Sequence, residues 1–128
     1  MKILLDTHAF LWAITEDAQL SLRAREIFTA RTSELFLSVA SIWEILIKVR
    51  LKKLPLTKPV VPFLREQLAN NNIHVLPIVL DHVARLEDLP VHHRDPFDRI
   101  LVAQSLEEGW PLLSADPLLA RYPTELIW

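Results

Sequence analysis

Short apolar runs alternate with longer stretches of helical periodicity along most of the chain. The apolar runs predict strands at residues 2–5, 35–39, 73–78, 111–113 and 125–128. The first run is continuously apolar, which is typical of a strand covered on both faces. Strands that alternate with helices predict βα units, and therefore an α/β fold with a central parallel sheet.

Helical spacing of apolar residues predicts helices at residues 7–14, 21–30, 42–51, 81–89 and 97–108. Another helix, containing Phe63, Leu64 and Leu68, is expected to stop at the asparagines 70–72. The proline-rich stretch 54–62 reads as a connector that runs into this helix. Gly109 follows the last predicted helix and favours its end.

Composition narrows the classes of protein and site that fit. The 128 residues are 51% hydrophobic, which fits a single domain spanning 1–128 with a sizeable core. With no cysteine, the chain can form no disulfide or thiolate metal site, so we expect a reducing, cytoplasmic location. Its single glycine excludes the glycine-rich phosphate loops of Rossmann and P-loop proteins.

No targeting or membrane segment is expected. Asp6 and His8 interrupt the N-terminal apolar run too early for a signal peptide. No other run approaches the length of a membrane span, so we expect a protein without membrane association.

Acidic residues occur where four predicted segments reach one edge of the sheet. Asp6 follows the first strand, Glu44 lies near the start of the next βα helix, Asp98 begins the helix at 97–108, and Asp116 follows the strand at 111–113. Parallel α/β sheets bind ligands at the carboxyl ends of their strands. The four carboxylates are therefore expected to converge.

Each acid also has a local explanation. Asp6 and Asp116 suit helix or turn caps, and Glu44 would complete a capping box with Ser41. Asp95 and Asp98 flank Pro96 as at an ordinary helix start. Capping does not explain why all four meet at one edge, where unpaired carboxylates would repel each other.

A bound cation would remove that repulsion. Oxygen ligands without cysteine suit Mg²⁺, with Mn²⁺ as a substitute. The net charge of −2 argues against a basic nucleic-acid-binding surface. However, Asp6, Glu44, Asp95, Asp98 and Asp116 could surround a metal. The remaining 11 acidic and 14 basic residues would then carry a net charge of +3.

Four segments carry a family resemblance: LLDTHAFLW at 4–12, SVASIWEI at 38–45, HRDPFDRILVAQ at 93–104 and LLSAD at 112–116. Together they resemble the PIN-domain ribonucleases, especially the VapC-type toxins of toxin–antitoxin pairs. The resemblance implies a three-layer α/β/α fold with about five parallel strands in the order 3-2-1-4-5. It also implies a Mg²⁺-dependent endoribonuclease that hydrolyses RNA phosphodiesters with a metal-activated water.

The resemblance assigns site residues by position. Asp6, Glu44, Asp98 and Asp116 match the catalytic acids of the family, with Asp6 and Asp98 as first choices for metal ligands. Glu44 and Asp116 would complete the ligand set, act through water or hold a second metal. Thr7, Ser114 and Asp95 are supporting residues. The resemblance further implies a homodimer and a cognate antitoxin.

Substrate-binding residues are less well defined by the sequence. Lys48, Arg50 and Arg99 are candidates for contacts with RNA phosphates. The alternatives are a solvated helix end for Lys48 and Arg50 and an ion pair for Arg99. Aromatic residues such as Trp12, Phe36, Trp43 and Trp110 are assigned to the core.

Three alternatives to metal-only catalysis by the acids remain open. His8, His92 or His93 could act as a general base, although solvated or packing histidines are more common. The acids could instead serve phosphoryl transfer through an aspartyl phosphate, but LDTHAF lacks the motif of that class. A catalytically silent protein-binding module of the same fold is the non-enzymatic alternative.

Overall fold

A computed structural model describes residues 1–56 and 59–128. The strands in these ranges are β1 (Lys2–Leu5), β2 (Glu34–Ser38), β3 (Ile73–Leu76), β4 (Leu112–Leu113) and β5 (Leu126–Ile127). They form one sheet with the order β3-β2-β1-β4-β5, and every neighbouring pair is parallel. The predicted parallel sheet and its order are confirmed.

Six α-helices lie within the described residues. They are α1 (Thr7–Ile14), α2 (Leu22–Thr29), α3 (Val39–Arg50), α4 (Val60–Asn70), α5 (Leu80–Arg85) and α6 (Pro96–Glu108). A short 3-10 helix, Pro117–Arg121, follows β4 and was not predicted. None of these helices is both long and apolar enough to cross a membrane.

Several predicted boundaries differ from the structure. Helix α3 begins at Val39 rather than 42, because Ser38 caps it through a 3.1 Å hydrogen bond from the Ala40 amide. Helix α5 ends at Arg85 rather than 89. The predicted connector 54–62 includes Thr57 and Lys58, which lie outside the described residues, and α4 begins within it at Val60.

The sheet is buried on both faces. Ile3 and Leu5 of β1 pack in a cluster with α1 and α4, whereas Leu4 packs on the opposite face with Leu101 of α6. All three β1 side chains are 0% exposed. Full burial of one such side chain contributes roughly 1.5–3 kcal/mol. The continuous apolar run therefore produces the central strand of a three-layer α/β/α structure.

Helix α6 ends as its sequence predicts. Gly109 has a φ of 72° and its N–H donates to the Ser105 carbonyl at 2.9 Å. The chain then turns into β4, which pairs with β1 through Leu4↔Leu112 and Leu5↔Leu113. This pairing brings the segment after β4 beside the segment after β1.

Candidate active site

The loop after β1 begins the site. Asp6 is 5% exposed and caps α1, accepting a 2.8 Å hydrogen bond from the Ala9 amide through Oδ1. Its Oδ2 accepts a hydrogen bond from the Ser114 hydroxyl, which lies after β4. Burial raises the pKa of Asp6, and these hydrogen bonds and the nearby His8 oppose that rise. Capping and site formation thus use different oxygens of one carboxylate.

Glu44 lies in the second turn of α3 and is 3% exposed. The capping box predicted for Ser41 and Glu44 is wrong, because the helix begins three residues earlier. Instead, Glu44 Oε1 accepts a 2.7 Å hydrogen bond from Thr7 Oγ1. Glu44 Oε2 forms a 2.8 Å ion pair with Lys48. Glu44 therefore faces the segment after β1.

Asp98 lies in the first turn of α6, and Asp95 is the N-cap of this helix. Asp95 Oδ1 accepts from the amides of Phe97 at 2.8 Å and Asp98 at 3.4 Å. Burial raises the pKa of Asp98 to about 7, and the charge of Asp95 adds to the rise. The charges of Asp6 and Glu44 raise it further, whereas His93 lowers it. Asp98 therefore lies in the field of the other acids.

Asp116 follows β4 and caps the 3-10 helix, accepting from the Leu118 amide at 2.9 Å through Oδ1. Its own N–H donates to Ser114 Oγ at 3.1 Å. Ser114 therefore connects Asp116 to Asp6. The structure thus brings the four predicted acids together with both predicted hydroxyl residues, Thr7 and Ser114.

His93 lies within this cluster, whereas the sequence indicated it only as one of three candidate general bases. Its Nε2 lies 3.1 Å from Asp98 Oδ2 and 3.2 Å from Asp116 Oδ2. Ligand atoms of these three residues lie within 4.8 Å of one another, a spacing that could hold a metal ion. The available signal was its position two residues before Asp95 in HHRDPFD. His92 instead packs its ring edge-on against Tyr122.

Two cavities flank the acids. One of about 280 Å³ is bordered by Asp6, His8 and Asp116. The other, of about 420 Å³, lies between α3 and the start of α6; we call it the α3–α6 groove. Its described lining residues are Glu44, Ile47, Lys48, Leu51, Lys53, Arg94, Asp95, Pro96 and Phe97. The acid cluster therefore lies between two open spaces, one of which contains three basic side chains.

The predicted basic residues occupy different environments. Lys48 lines the α3–α6 groove while paired with Glu44. Arg50 is exposed in the last turn of α3 and is not among the described groove residues. Arg99 donates to the carbonyls of Pro90 at 2.9 Å and Leu89 at 3.3 Å. Arg99 therefore fastens the loop before α6 rather than facing the groove.

Trp12, Phe36, Trp43 and Trp110 were expected in the core, and this expectation is wrong for Trp43. Trp43 is 60% exposed on α3 and contacts Phe97 edge-on, with ring centroids 5.3 Å apart. Trp12, Phe36 and Trp110 are partly buried against the two core clusters.

Comparison with known proteins extends these observations. The family model of the PIN domain matches residues 3–125. Ribonuclease VapC22 of Mycobacterium tuberculosis is 29% identical over 98% of this chain and 98% of its own length.

Solved structures share the fold at low sequence identity. The crystal structure of VapBC2 from Rickettsia felis bound to a promoter DNA fragment matches with a TM-score of 0.74 and 13% identity, covering 99% of this chain and 98% of the matched one. A toxin–antitoxin complex from Klebsiella pneumoniae matches with a TM-score of 0.66 and 15% identity, covering 98% and 96%. FitAcB from Neisseria gonorrhoeae matches with a TM-score of 0.65 and 16% identity, again covering 98% and 96%.

Proposed function

Since this chain belongs to the PIN-domain family, we propose that it is a divalent-metal-dependent endoribonuclease and the toxin of a toxin–antitoxin pair. One observation carries the proposal: carboxylates from four distant segments converge at one edge of the sheet, where burial and neighbouring acids raise the pKa of Asp98 to about 7. Such a raised pKa marks negative charge that the protein alone does not compensate. The similarity to Ribonuclease VapC22 supports the same activity.

The donor set fits a hard divalent cation. Asp6 and Asp98 are the proposed ligands, with Glu44 and Asp116 completing the set or acting through water. Asp98 Oδ1 accepts no hydrogen bond within the described part of the chain, so it is free to bind a cation. Carboxylate oxygens suit Mg²⁺ and Mn²⁺. When bound, the cation would orient the phosphate, acidify a water molecule and offset charge in the transition state.

The supporting residues hold the acids in place. Thr7 donates to Glu44, and Ser114 donates to Asp6 while accepting from the Asp116 amide. Because the acid side chains are fixed by these bonds, little reorganisation is required when the charge of the substrate changes. We therefore assign Thr7 and Ser114 to orientation of the acids, and Asp95 to positioning of Asp98 through the helix start.

The substrate proposal rests on the α3–α6 groove. Lys53 and Arg94 line it and form no ion pair within residues 1–56 and 59–128. Phe97 offers an apolar surface in the same groove. Basic side chains beside an aromatic ring suit a single RNA strand, whose phosphates and bases they contact respectively. We place an RNA strand here, leading into the acid cluster.

Protein partners form the last part of the proposal. The Klebsiella pneumoniae match is itself a toxin–antitoxin complex, which supports an antitoxin for this chain. For a homodimer, the support is a group of exposed apolar side chains on α3 and at the start of α5, which we call the α3–α5 face. Its members are Val39, Trp43, Val79, Leu80 and Val83. An exposed apolar patch of this kind marks an interaction surface.

RNA cleavage tests the function. Purified protein, free of antitoxin, is incubated with a panel of structured and single-stranded RNAs in Mg²⁺ or EDTA. We expect discrete Mg²⁺-dependent cuts, and a loss of at least about 100-fold in Asp98→Asn because cation binding supplies several kcal/mol to the transition state. Asp81→Asn is the matched control, since Asp81 is an exposed acid in the first turn of α5. Unchanged cleavage by folded Asp98→Asn would contradict the assignment.

Salt dependence tests the RNA path. In the Lys53→Gln/Arg94→Gln double variant, we expect weaker binding of single-stranded RNA and a shallower slope of log affinity against log salt, by about 0.7 for each lost phosphate contact. The control is Arg23→Gln/Arg25→Gln, because both arginines are exposed on α2, away from the groove. An unchanged slope in the groove variant would reject the path without affecting the nuclease proposal.

A further inference from the structure

His93 lies between two of the proposed catalytic acids. Its side chain is 15% exposed, and its Nε2 lies 3.1 Å from Asp98 Oδ2 and 3.2 Å from Asp116 Oδ2. Two interpretations fit these distances. The imidazole could bind a metal ion together with the acids, or its Nε2–H could donate to Asp116 while the ring lies against Asp98.

The other ring nitrogen decides between these interpretations. His93 Nδ1 lies 3.1 Å from the backbone N–H of Asp95, which donates to it. A backbone amide can only donate, so Nδ1 presents its lone pair and carries no proton. In a neutral imidazole the proton is then on Nε2. The Nε2–H group consequently faces Asp98 and Asp116, and this nitrogen has no lone pair to offer a metal.

We propose that His93 is a positioning residue that ties Asp116 to Asp98 and is not itself a metal ligand. Its Nε2–H donates to Asp116 Oδ2, and the same nitrogen lies against Asp98 Oδ2 at 3.1 Å. The role in metal binding rests on the proposed function, whereas the contacts of His93 with the two acids do not. Asp116 Oδ1 is held by the Leu118 amide and Oδ2 by His93, so both oxygens of this carboxylate are fixed. At Asp98, His93 contacts Oδ2 at 3.1 Å and leaves Oδ1 to the cation.

Asp95 and Tyr122 hold His93 in place. Asp95 caps α6 with its carboxylate and orients His93 with its own N–H. The preceding backbone is anchored as well, since the amides of His92 and His93 donate to the Tyr122 hydroxyl at 3.1 and 2.9 Å. The ring is therefore held from its backbone and from Nδ1, as a fixed bridge requires.

Nuclear magnetic resonance of the full-length ¹⁵N-labelled protein tests the bridge directly. We expect a His93 ring with protonated Nε2 and unprotonated Nδ1, assigned by the loss of its signals in His93→Gln. Addition of diamagnetic Mg²⁺ should leave the Nε2 proton in place. A proton on Nδ1, or loss of the Nε2 proton when Mg²⁺ binds, would overturn the proposal in favour of ligation.

Mn²⁺ titration measures how much His93 contributes to the metal affinity of the site. Titration with Mn²⁺, followed by electron paramagnetic resonance of the free ion, should show about 10-fold weaker binding in His93→Ala, a typical effect of losing a residue that orients ligands. His93→Gln retains an N–H donor and should recover part of the affinity. His92→Ala is the matched control, because its ring packs on Tyr122 and is absent from the acid cluster.

The outcomes separate this inference from the proposed function. Unchanged Mn²⁺ affinity in folded His93→Ala, or equal loss in His93→Ala and His93→Gln, would overturn the positioning role. If the unsubstituted protein bound no Mn²⁺, the metal-dependent nuclease proposal and the role of His93 in metal binding would fail together. The resonance measurement without metal would still decide whether His93 bridges the two acids.

Discussion

At the residue scale, the pKa of Asp98 reports the burial and the negative charge of the site. It is only 20% exposed in its side chain and lies near Asp95, Asp6 and Glu44. The α6 N-terminus favours its negative charge, but desolvation is the larger effect and raises its pKa to about 7. In the metal-free protein, the ionised form of Asp98 is therefore destabilised near neutral pH.

The first prediction concerns this acid and pH. The pKa of Asp98 rises from 3.8 to about 7 on folding. Between these values the folded state binds a proton that the unfolded state does not, so the contribution of Asp98 to stability increases as pH falls through about 7. In EDTA, we expect a larger difference in free energy of unfolding between pH 8 and about pH 5.5 for the unsubstituted protein than for Asp98→Asn.

Urea unfolding at both pH values measures this difference. Asp81→Asn, in an exposed position, should retain the full pH dependence of the unsubstituted protein. The same proton competes with a cation, so metal affinity should fall as pH drops below about 7. An equal pH dependence in Asp98→Asn would show that another group is responsible.

At the element scale, helix ends place the site side chains. Ser38 ends β2, where it pairs with Leu76, and immediately caps α3. Both Ser38 and Ser41 are good caps by residue type, so the local pattern cannot choose between them. In the structure, Ser41 is buried with its hydroxyl 2.9 Å from Thr7 Oγ1. Tertiary contacts therefore fix the start of α3, and with it the position of Glu44.

The second prediction concerns the end of α6. Gly109 has a φ of 72°, and a Cβ there would meet no atom within 4 Å. Gly109→Ala should therefore lower the free energy of unfolding by about 1 kcal/mol through backbone strain alone. Gly109→Asn should cost less, since asparagine tolerates this conformation. Thermal or urea unfolding compares the two; equal costs would point to a contact of the side chain instead.

At the scale of the whole molecule, the sheet order determines which segments meet. Strand β1 lies between β2 and β4, so the residues that follow these strands share one edge. The convergence of Asp6, Glu44 and Asp116 follows from this order and could be predicted from strand pattern and family resemblance. The bridge by His93 could not, because it depends on the conformation of an irregular loop that Arg99 and Tyr122 hold in place.

The third prediction concerns assembly through the α3–α5 face. Leu80 is 81% exposed and shares the start of α5 with the exposed Val79 and Val83. If the face joins two copies, Leu80→Glu should convert a dimer to a monomer, because it would bury an unpaired charge. Light scattering coupled to size-exclusion chromatography measures the mass.

Leu22→Glu provides the control for this experiment. Leu22 is 73% exposed on α2, and its substitution should leave the dimer intact. A monomeric unsubstituted protein at working concentration, or a dimeric Leu80→Glu, would count against this face as the dimer interface.

Strand β1 can pair with β4 only after β4 has been synthesised. The ribosome synthesises Asp6, Glu44 and Asp98 before Ser114 and Asp116. Until then, Asp6 lacks its Ser114 partner and β1 has an open side. A nascent chain therefore carries an incomplete acid cluster until Ser114 and Asp116 have been synthesised and β4 has paired with β1.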